Sequence, residues 1–252
     1  MSMNMDEPIL TPNELLAYRR ATRTLDDFTP PETVIFAPQK SLADYVLRKY
    51  SVKKIKGFLG EFYLLKKTGG KIALSTGFGI GAPVIAGLTD EFAALGVRRV
   101  GLIGLAGGLQ SDLRTGSIIL SDGAIRGEGV SQHYLPPSEI VETSTEVNEL
   151  LAGKMGEKKL SFSRGLTWTT DAPFRELRRD VLAYQQRGVL AVDMEAAGML
   201  AVAASYNLTA FAAFSVADML AGGVWSMAKD LRPAQSNLGL IFESVVEGFA
   251  TQ

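Results

Sequence analysis

Residues 193 to 198 read Asp193-Met194-Glu195-Ala196-Ala197-Gly198, and the segments around this stretch decide the fold. A short apolar run at 189–192 precedes it, and residues 194–206 have the composition of a helix. A second apolar run, 208–216, follows and leads to Asp218. The sequence therefore predicts one strand-helix-strand unit with an acidic residue at each end.

The same alternation extends outward along the chain. Further strands are predicted at 57–66, 71–76, 97–105, 117–125 and 160–167, and residues 33–37 form a short apolar run. Further helices are predicted at 12–20, 41–49, 83–95, 144–155, 173–187 and 234–249. The turn Thr68-Gly69-Gly70 predicts a hairpin between two of the strands. Alternating strands and helices indicate an α/β fold whose largely parallel sheet is covered on both faces.

Composition limits the classes of function. The chain has 252 residues, a 46% hydrophobic fraction and no linker or repeat, so we expect a single domain over residues 1–252. A net charge of −1 gives no reason to expect a nucleic-acid or membrane partner. The absence of cysteine excludes thiol chemistry and fits a cytoplasmic protein. No run of about 18 apolar residues predicts a membrane span.

Two glycine-rich segments follow predicted strands, where open α/β sheets bind their ligands. The first contains Gly79 within Gly77-Phe78-Gly79-Ile80-Gly81-Ala82-Pro83, and the second contains Gly107 within residues 101–108. Glycine lets the backbone approach a ligand closely, and a helix N-terminus favours an anion. A tight strand-to-helix turn and a close strand crossing explain the same glycines without a ligand. These segments therefore suggest a binding site only together with other signals.

The order of these segments resembles the purine nucleoside and uridine phosphorylase family. That family carries G-x-G-x-P, a V-G-(S/T)-x-G-G-like segment and E-M-E-A-A-G, which correspond here to residues 79–83, 103–108 and 193–198. The agreement extends from about Thr33 to Asp218. The resemblance implies a three-layer α/β/α fold with a central mixed, partly barrel-like sheet. It also implies homo-oligomers built from dimers.

The resemblance assigns the sugar site to Glu195 and Met194. In the family this glutamate holds the ribose 2′- and 3′-hydroxyls, and the methionine packs against the sugar. A carboxylate suits the task because each oxygen accepts hydrogen bonds, and it stabilises positive charge on the sugar. Two alternatives stay open. Glu195 could instead be an acid in the first turn of a helix, favoured by the dipole, and Met194 could be core filler.

The base site is assigned in the same way to Asp218 and Trp168. Asp218 aligns with the aspartate that protonates purine N7, and Trp168 aligns with an aromatic residue that stacks on the base. Ala217 replaces the serine that precedes this aspartate in purine-specific relatives, which leaves the base open. Asp218 as a loop residue or helix cap, and Trp168 as a core residue, are the alternatives.

The phosphate site departs from the family pattern. Leu42 and Leu102 stand where phosphorolytic relatives have arginines, and leucine cannot replace a guanidinium fork. Either Arg126, Lys56 and backbone amides bind phosphate, or water is the nucleophile. Hydrolytic relatives activate water with an N-terminal glutamate, and the early segment here has Gln39 followed by a lysine. Lys56 corresponds to a position where a neighbouring subunit supplies an arginine.

His133, the only histidine of the chain, lies in a polar loop after a predicted strand. It could meet the sugar 5′-hydroxyl across a subunit interface, or be a solvated loop residue. A single histidine and no cysteine make a catalytic metal site unexpected, and no cofactor is predicted. Inorganic phosphate is the one co-substrate considered.

The expected function is cleavage of the N-glycosidic bond of a nucleoside. Phosphorolysis to free base and ribose 1-phosphate, with purine slightly favoured over uridine, is the leading hypothesis, in keeping with nucleoside salvage. A hydrolytic nucleosidase is the first alternative because the phosphate arginines are replaced. A nucleoside-binding protein without turnover is the second, because a fold alone does not establish catalysis.

Overall fold

A computed structural model of the chain describes residues 8–250. Within that range eleven strands form one sheet. They are β1 (Thr33–Ala37), β2 (Val52–Ile55), β3 (Glu61–Leu65), β4 (Ile72–Thr76), β5 (Arg99–Gly108), β6 (Ile118–Gly127), β7 (Ile140–Glu142), β8 (Phe162–Thr170), β9 (Ala191–Asp193), β10 (Thr209–Met219) and β11 (Ser226–Met227). The α-helices of the same range are α1 (Pro12–Ala21), α2 (Lys40–Lys49), α3 (Ala82–Ala94), α4 (Thr145–Glu157), α5 (Arg178–Gln186), α6 (Ala196–Ser205) and α7 (Arg232–Phe249).

Five of the strands close into a small barrel. β5 pairs with β10 in parallel, β10 with β6 in antiparallel, and β6 with β8 in parallel. β8 then pairs in parallel with β9, and β9 returns to β5 in antiparallel, which completes the ring. β1, β4, β3 and β2 extend the sheet outward from β5. The expected mixed, partly barrel-like sheet is confirmed.

Helices cover both faces of this sheet, as β1 illustrates. Val34 and Phe36 pack into a core that includes side chains of α3 and α6. The alternate residues Ile35 and Ala37 pack into a second core with α2, α4 and α7. Successive strand side chains point to opposite faces, so a strand buried on both faces must be apolar throughout. The three-layer α/β/α prediction is confirmed.

The small side chains of α6 let it approach α3 closely. A Cβ placed on Gly198 would lie 2.9 Å from Cβ of Ala82, so a larger residue there would push the two helices apart. All but the last two residues of α6 are buried. This packing brings the N-terminus of α6 beside the N-terminus of α3, where the candidate site lies.

Three short strands, β2, β7 and β11, were not predicted from the sequence. β2 has the sequence Val52-Lys53-Lys54-Ile55, with both lysines exposed, and among the described strands it pairs with β3 alone. β11 has only two residues, both exposed, and pairs with the end of β10. Such edge segments lack the apolar character by which strands are recognised in a sequence.

Two boundaries differ from the prediction in ways that affect the site. The predicted helix at 173–187 begins only at Arg178, because Pro173–Arg175 forms a 3₁₀ turn and Leu177 has extended backbone angles. The predicted strand that ends at 216 continues to Met219, so Asp218 lies inside β10 and not in a loop.

Candidate active site

A cavity of about 780 Å³ lies where several strands end. β1, β4, β5 and β10 run parallel to one another, and residues at or just beyond the ends of all four line the cavity. Gln39 follows β1, Ile80 follows β4, Gly107 belongs to β5, and Asp218 belongs to β10. Ligands of open α/β sheets bind at this edge.

Glu195 lies in this cavity at the junction of two helices. It is the residue before the first turn of α6, so the prediction that it lies within that turn is off by one position. Its Oε1 accepts a hydrogen bond of 2.7 Å from the backbone N–H of Gly81, the residue that precedes α3. Gly81 has φ +103°, a conformation that glycine adopts without strain.

The surroundings of Glu195 raise the pKa of its carboxyl group. Burial, and then the charge of Asp193, raise the pKa of Glu195 to about 7, while the Gly81 N–H opposes that rise. The side chain is only 7% exposed. A ligand that donates hydrogen bonds or carries positive charge would therefore favour the ionised form of this carboxyl.

Asp193 is a second buried acid to which the sequence analysis gave no role. Its Oδ1 accepts hydrogen bonds from the backbone N–H groups of Glu195 at 2.9 Å and Ala196 at 2.7 Å, and from the Thr169 hydroxyl at 3.1 Å. Its Oδ2 is buried and accepts no hydrogen bond from the described residues. Burial raises the pKa of Asp193 to about 6. These bonds fix the turn that places Glu195.

A β-bulge turns Asp218 toward the cavity. Val216 pairs with Ala106 and Asp218 with Gly107, so Ala217 is an extra residue in the ladder with β5. Ala217 and Asp218 consequently both line the cavity, which strict alternation along a strand would not allow. The indole N–H of Trp225 donates a hydrogen bond of 2.7 Å to Asp218 Oδ2.

Gly107 keeps space open between these walls. A Cβ on Gly107 would lie 2.5 Å from Cδ1 of Leu220, 3.2 Å from Cγ1 of Val192 and 3.6 Å from Oδ1 of Asp218. Gly107 therefore lies in the cavity wall, and its role in binding a ligand stays a prediction. Gly79 itself is not among the lining residues, although the next residue, Ile80, is.

Glu176 is a third acid in the cavity, and it was not among the site residues predicted from the sequence. It follows the 3₁₀ turn Pro173–Arg175 and precedes α5, so it is not part of the helix in which it was predicted. It is half-buried and lines the cavity with Asp218. Burial, and then the charge of Asp218, raise the pKa of Glu176 to about 7. Its position depends on where α5 begins, which helical periodicity does not reveal.

The wall near Gln39 is mostly apolar. Leu42 and Leu102 are fully buried in the two cores and do not line the cavity. Leu105 does line it, and the Oε1 atom of Gln39 is buried without a hydrogen-bond donor among the described residues. The only basic side chain among the described lining residues is Arg178, whose Nε donates to the Gly223 carbonyl at 3.1 Å.

The remaining predicted residues divide between the cavity and other places. Met194 is partly buried and lines the cavity beside Glu195. Trp168 does not line it. That indole is 6% exposed and packs on the Tyr184 ring at a centroid distance of 4.8 Å. The aromatic side chain that does reach the cavity is Trp225, which is 65% exposed.

The predicted basic residues lie outside the cavity. The Arg126 guanidinium binds its own loop, donating to the Ser131 hydroxyl at 2.8 Å and the Pro136 carbonyl at 2.8 Å. His133 and Lys56 are exposed and do not line the cavity. Within one subunit, none of the three is placed to bind a ligand there.

Residues 8–250 contain neither a metal-binding cluster nor a helix that could span a membrane. No group of three or more acidic or histidine side chains in that range is arranged to hold a metal ion. No helix in the described range combines the length and apolar character that crossing a bilayer requires.

The chain is similar to known proteins both in sequence and in fold. The family model described as the phosphorylase superfamily matches residues 34–247. A DeoD-type purine nucleoside phosphorylase of Caldanaerobacter subterraneus subsp. tengcongensis is 26% identical over 181 residues, which are 71% of this chain and 75% of that protein.

Two solved structures share the fold at low identity. Uridine phosphorylase of Vibrio fischeri superposes with a TM-score of 0.78 at 18% identity, covering 88% of this chain and 93% of that one. AMP nucleosidase of Bacteroides thetaiotaomicron superposes with a TM-score of 0.73 at 19% identity, covering 96% and 100% respectively. The same architecture thus serves both phosphorylases and a nucleosidase.

Proposed function

This chain belongs to the phosphorylase superfamily of nucleoside-cleaving enzymes, and from that premise we propose that it cleaves the N-glycosidic bond of a purine nucleoside, with water as the nucleophile. One observation carries the proposal. A single cavity holds Glu195, which suits a sugar diol, together with the carboxyl groups of Asp218 and Glu176, which suit a leaving base.

Glu195 would bind the ribose 2′- and 3′-hydroxyls in its ionised form. The Gly81 N–H fixes one of its oxygens, so the carboxylate would not have to reorient when the substrate binds. As the C1′–N9 bond lengthens, positive charge develops on the sugar. Buried carboxylates next to that charge stabilise it more strongly than solvent-exposed ones would. Met194 would pack against the sugar from the same turn.

At the other end, Asp218 would supply the proton that the departing base needs at N7. A positioned general acid contributes roughly 10²–10⁴ in rate. Trp225 donates to Oδ2 of Asp218, which fixes the carboxyl while its other oxygen lies on the Gly107 side. The exposed indole of Trp225 also takes the place of Trp168 as the aromatic side chain proposed to contact the base.

Water is favoured as the nucleophile by the wall near Gln39. The residues that replace the phosphate arginines, Leu42 and Leu102, are enclosed in the cores and offer no donor to an anion. Gln39 lines the cavity with an uncharged amide side chain, which can orient a water molecule but offers no positive charge to a phosphate. The early segment thus offers a way to position water without the missing glutamate.

Phosphorolysis is the second candidate, supported by the similarity to a purine nucleoside phosphorylase over 71% of the chain. It would require phosphate to be bound by backbone amides, by Arg178, or by a partner subunit. Lys56 is the residue that we propose a partner contributes, within a homodimer or a larger assembly of dimers.

The decisive experiment measures release of free base from adenosine, inosine and uridine in phosphate-free buffer and in buffer with inorganic phosphate. The proposal expects purine release without phosphate, with ribose as the second product. Release only with phosphate, accompanied by ribose 1-phosphate, would replace hydrolysis by phosphorolysis. Binding of the nucleoside without release of base in either buffer would indicate a binding protein.

A further inference from the structure

We propose that Glu176 and Asp218 read the base as a pair and select 6-aminopurine over 6-oxopurine nucleosides. This inference rests on the proposed function, since it concerns the base half of the same cavity. It assigns a specificity-determining role to Glu176.

The first support is position. Glu176 and Asp218 come from different parts of the fold, the segment before α5 and the bulged end of β10, and both line the cavity. Each of the two segments is held in place by a hydrogen bond of its own. Trp225 donates to Asp218 at 2.7 Å, and Arg178, two residues after Glu176, donates to the Gly223 carbonyl at 3.1 Å.

The second support is charge. Two carboxylates that share a partly buried site do not both ionise readily, because each opposes the charge of the other. Burial and the Asp218 charge raise the pKa of Glu176 to about 7, whereas Asp218 accepts a hydrogen bond from an indole that can only donate. Near neutral pH the pair therefore carries one proton in about half of the molecules. In that form it presents one hydrogen-bond donor and one acceptor to a ligand.

The purine bases differ in how they match such a pair. The edge that carries N7 and the 6-substituent presents an acceptor and an amino donor in adenine, but two acceptors, N7 and O6, in guanine. Hypoxanthine carries the same 6-oxo group as guanine. One protonated and one ionised carboxyl complement the first pattern. A 6-oxopurine would place its O6 against a carboxylate, unless a second proton were taken up.

The same proton serves the reaction. As the C1′–N9 bond breaks, its electron pair stays on the base. The proton shared by Glu176 and Asp218 passes to N7 from Asp218, the acid proposed for that atom. The hydroxide part of water bonds to C1′, and the proton released from water returns to the carboxyl pair. Nucleoside and water thus become free base and ribose, and the pair is restored to its starting charge.

The test compares the binding of free adenine and free hypoxanthine by calorimetry, which does not depend on turnover. We expect adenine to bind the wild type about tenfold or more tightly, in keeping with the cost of leaving polar groups unpaired in a site built to bond them. Glu176→Gln should narrow this ratio to about threefold or less, because an amide can donate to O6 or accept from N6.

Asp180→Asn is the matched control, since it removes a nearby carboxyl that does not line the cavity. It should leave the ratio unchanged. Equal binding of the two bases by the wild type would overturn the inference whether or not any variant folds. An undiminished ratio in a folded Glu176→Gln protein would overturn it as well.

Cleavage of adenosine and inosine, measured in parallel, separates this inference from the proposed function. If the protein discriminates between the two bases but cleaves neither nucleoside, the inference about Glu176 and Asp218 stands and the proposed activity is wrong. If the protein cleaves both nucleosides with equal kcat/KM and binds both bases equally, the proposed activity stands and the inference about Glu176 and Asp218 is wrong.

Discussion

Glu195, at the start of α6, accepts a hydrogen bond from the backbone N–H of Gly81, at the start of α3. The N-termini of two helices therefore converge on one carboxyl group. Helix N-termini favour negative charge, yet burial and Asp193 outweigh that effect and raise the pKa of Glu195 to about 7. The free protein thus holds Glu195, the proposed sugar-binding acid, near the midpoint of its titration at neutral pH.

The first prediction concerns activity at Glu195. Glu195→Ala should lower kcat/KM by at least about 10², because the ribose hydroxyls would lose a charged acceptor. In the wild type, KM should rise as the pH falls below 7, because protonation removes that acceptor. Steady-state kinetics across this range provide the check. If kcat/KM of the alanine variant is within twofold of the wild-type value, Glu195 does not bind the substrate.

The second prediction concerns stability. The folded-state pKa of Glu195 is raised from 4.5 to about 7, so the stability linked to its protonated form is complete below pH 4.5 and lost as the pH rises through 7. Glu195→Gln should therefore make the unliganded protein more stable at pH 8 by about 2–3 kcal/mol, with little change at pH 4.5. Denaturant unfolding at both pH values measures this, with Asp180→Asn as the control. Equal stability of the variant and wild type at pH 8 would contradict it.

The third prediction concerns Asp218. Asp218→Asn should slow purine nucleosides by about 10²-fold or more and barely affect substrates whose leaving groups need no proton. Parallel rates with adenosine and with a nitrophenyl riboside give the comparison. Equal slowing of both would show that Asp218 is not the acid.

The fourth prediction concerns Gln39. Gln39→Leu removes the unpartnered acceptor and should reduce kcat for hydrolysis by about tenfold, with adenine binding unchanged. Addition of methanol supplies an independent readout, since a site that positions water should transfer ribose to methanol less efficiently in the variant. An unchanged kcat would place the nucleophile elsewhere in the cavity.

The fifth prediction concerns Gly107. Gly107→Ala would place a methyl group 2.5 Å from Leu220 Cδ1 and should destabilise the fold by about 1–3 kcal/mol while weakening adenine binding. Gly153→Ala in α4 is the matched control, because nothing lies within 4 Å of that Cβ. It should stabilise the protein by about 0.5–1 kcal/mol. Thermal melts of the two variants test the contrast.

The local unit that contains Glu195 was predictable because its signals are local. An apolar strand, a turn with two acids and an alanine-rich helix follow one another within about twenty residues, and Asp218 comes shortly after. The strand that contains Asp218 was predicted to end two residues before it. The sequence near Asp218 does not reveal the bulge at Ala217, because that bulge arises from pairing with β5, more than a hundred residues earlier in the chain.

The base half of the site was less predictable, because it depends on contacts between distant segments. Trp168 lies on β8 against the backbone of Gly127 on β6, and this packing follows from closure of the barrel. Trp225 reaches the cavity beside the short pairing of β11 with β10. Glu176 lies before α5 because a 3₁₀ turn delays the start of that helix. The charged, amphipathic sequence of this segment is typical of a helix and gives no sign of the turn.

The late start of α5 has a consequence for how such a protein could change over generations. The acid that is proposed to read the base lies in an irregular segment, while Glu195 lies at the junction of two buried helices. Irregular surface segments accept replacement and insertion more readily than packed helix ends. Substitutions at residues 173–177 could therefore alter the proposed preference for a base while the helix junction that holds Glu195 stays intact.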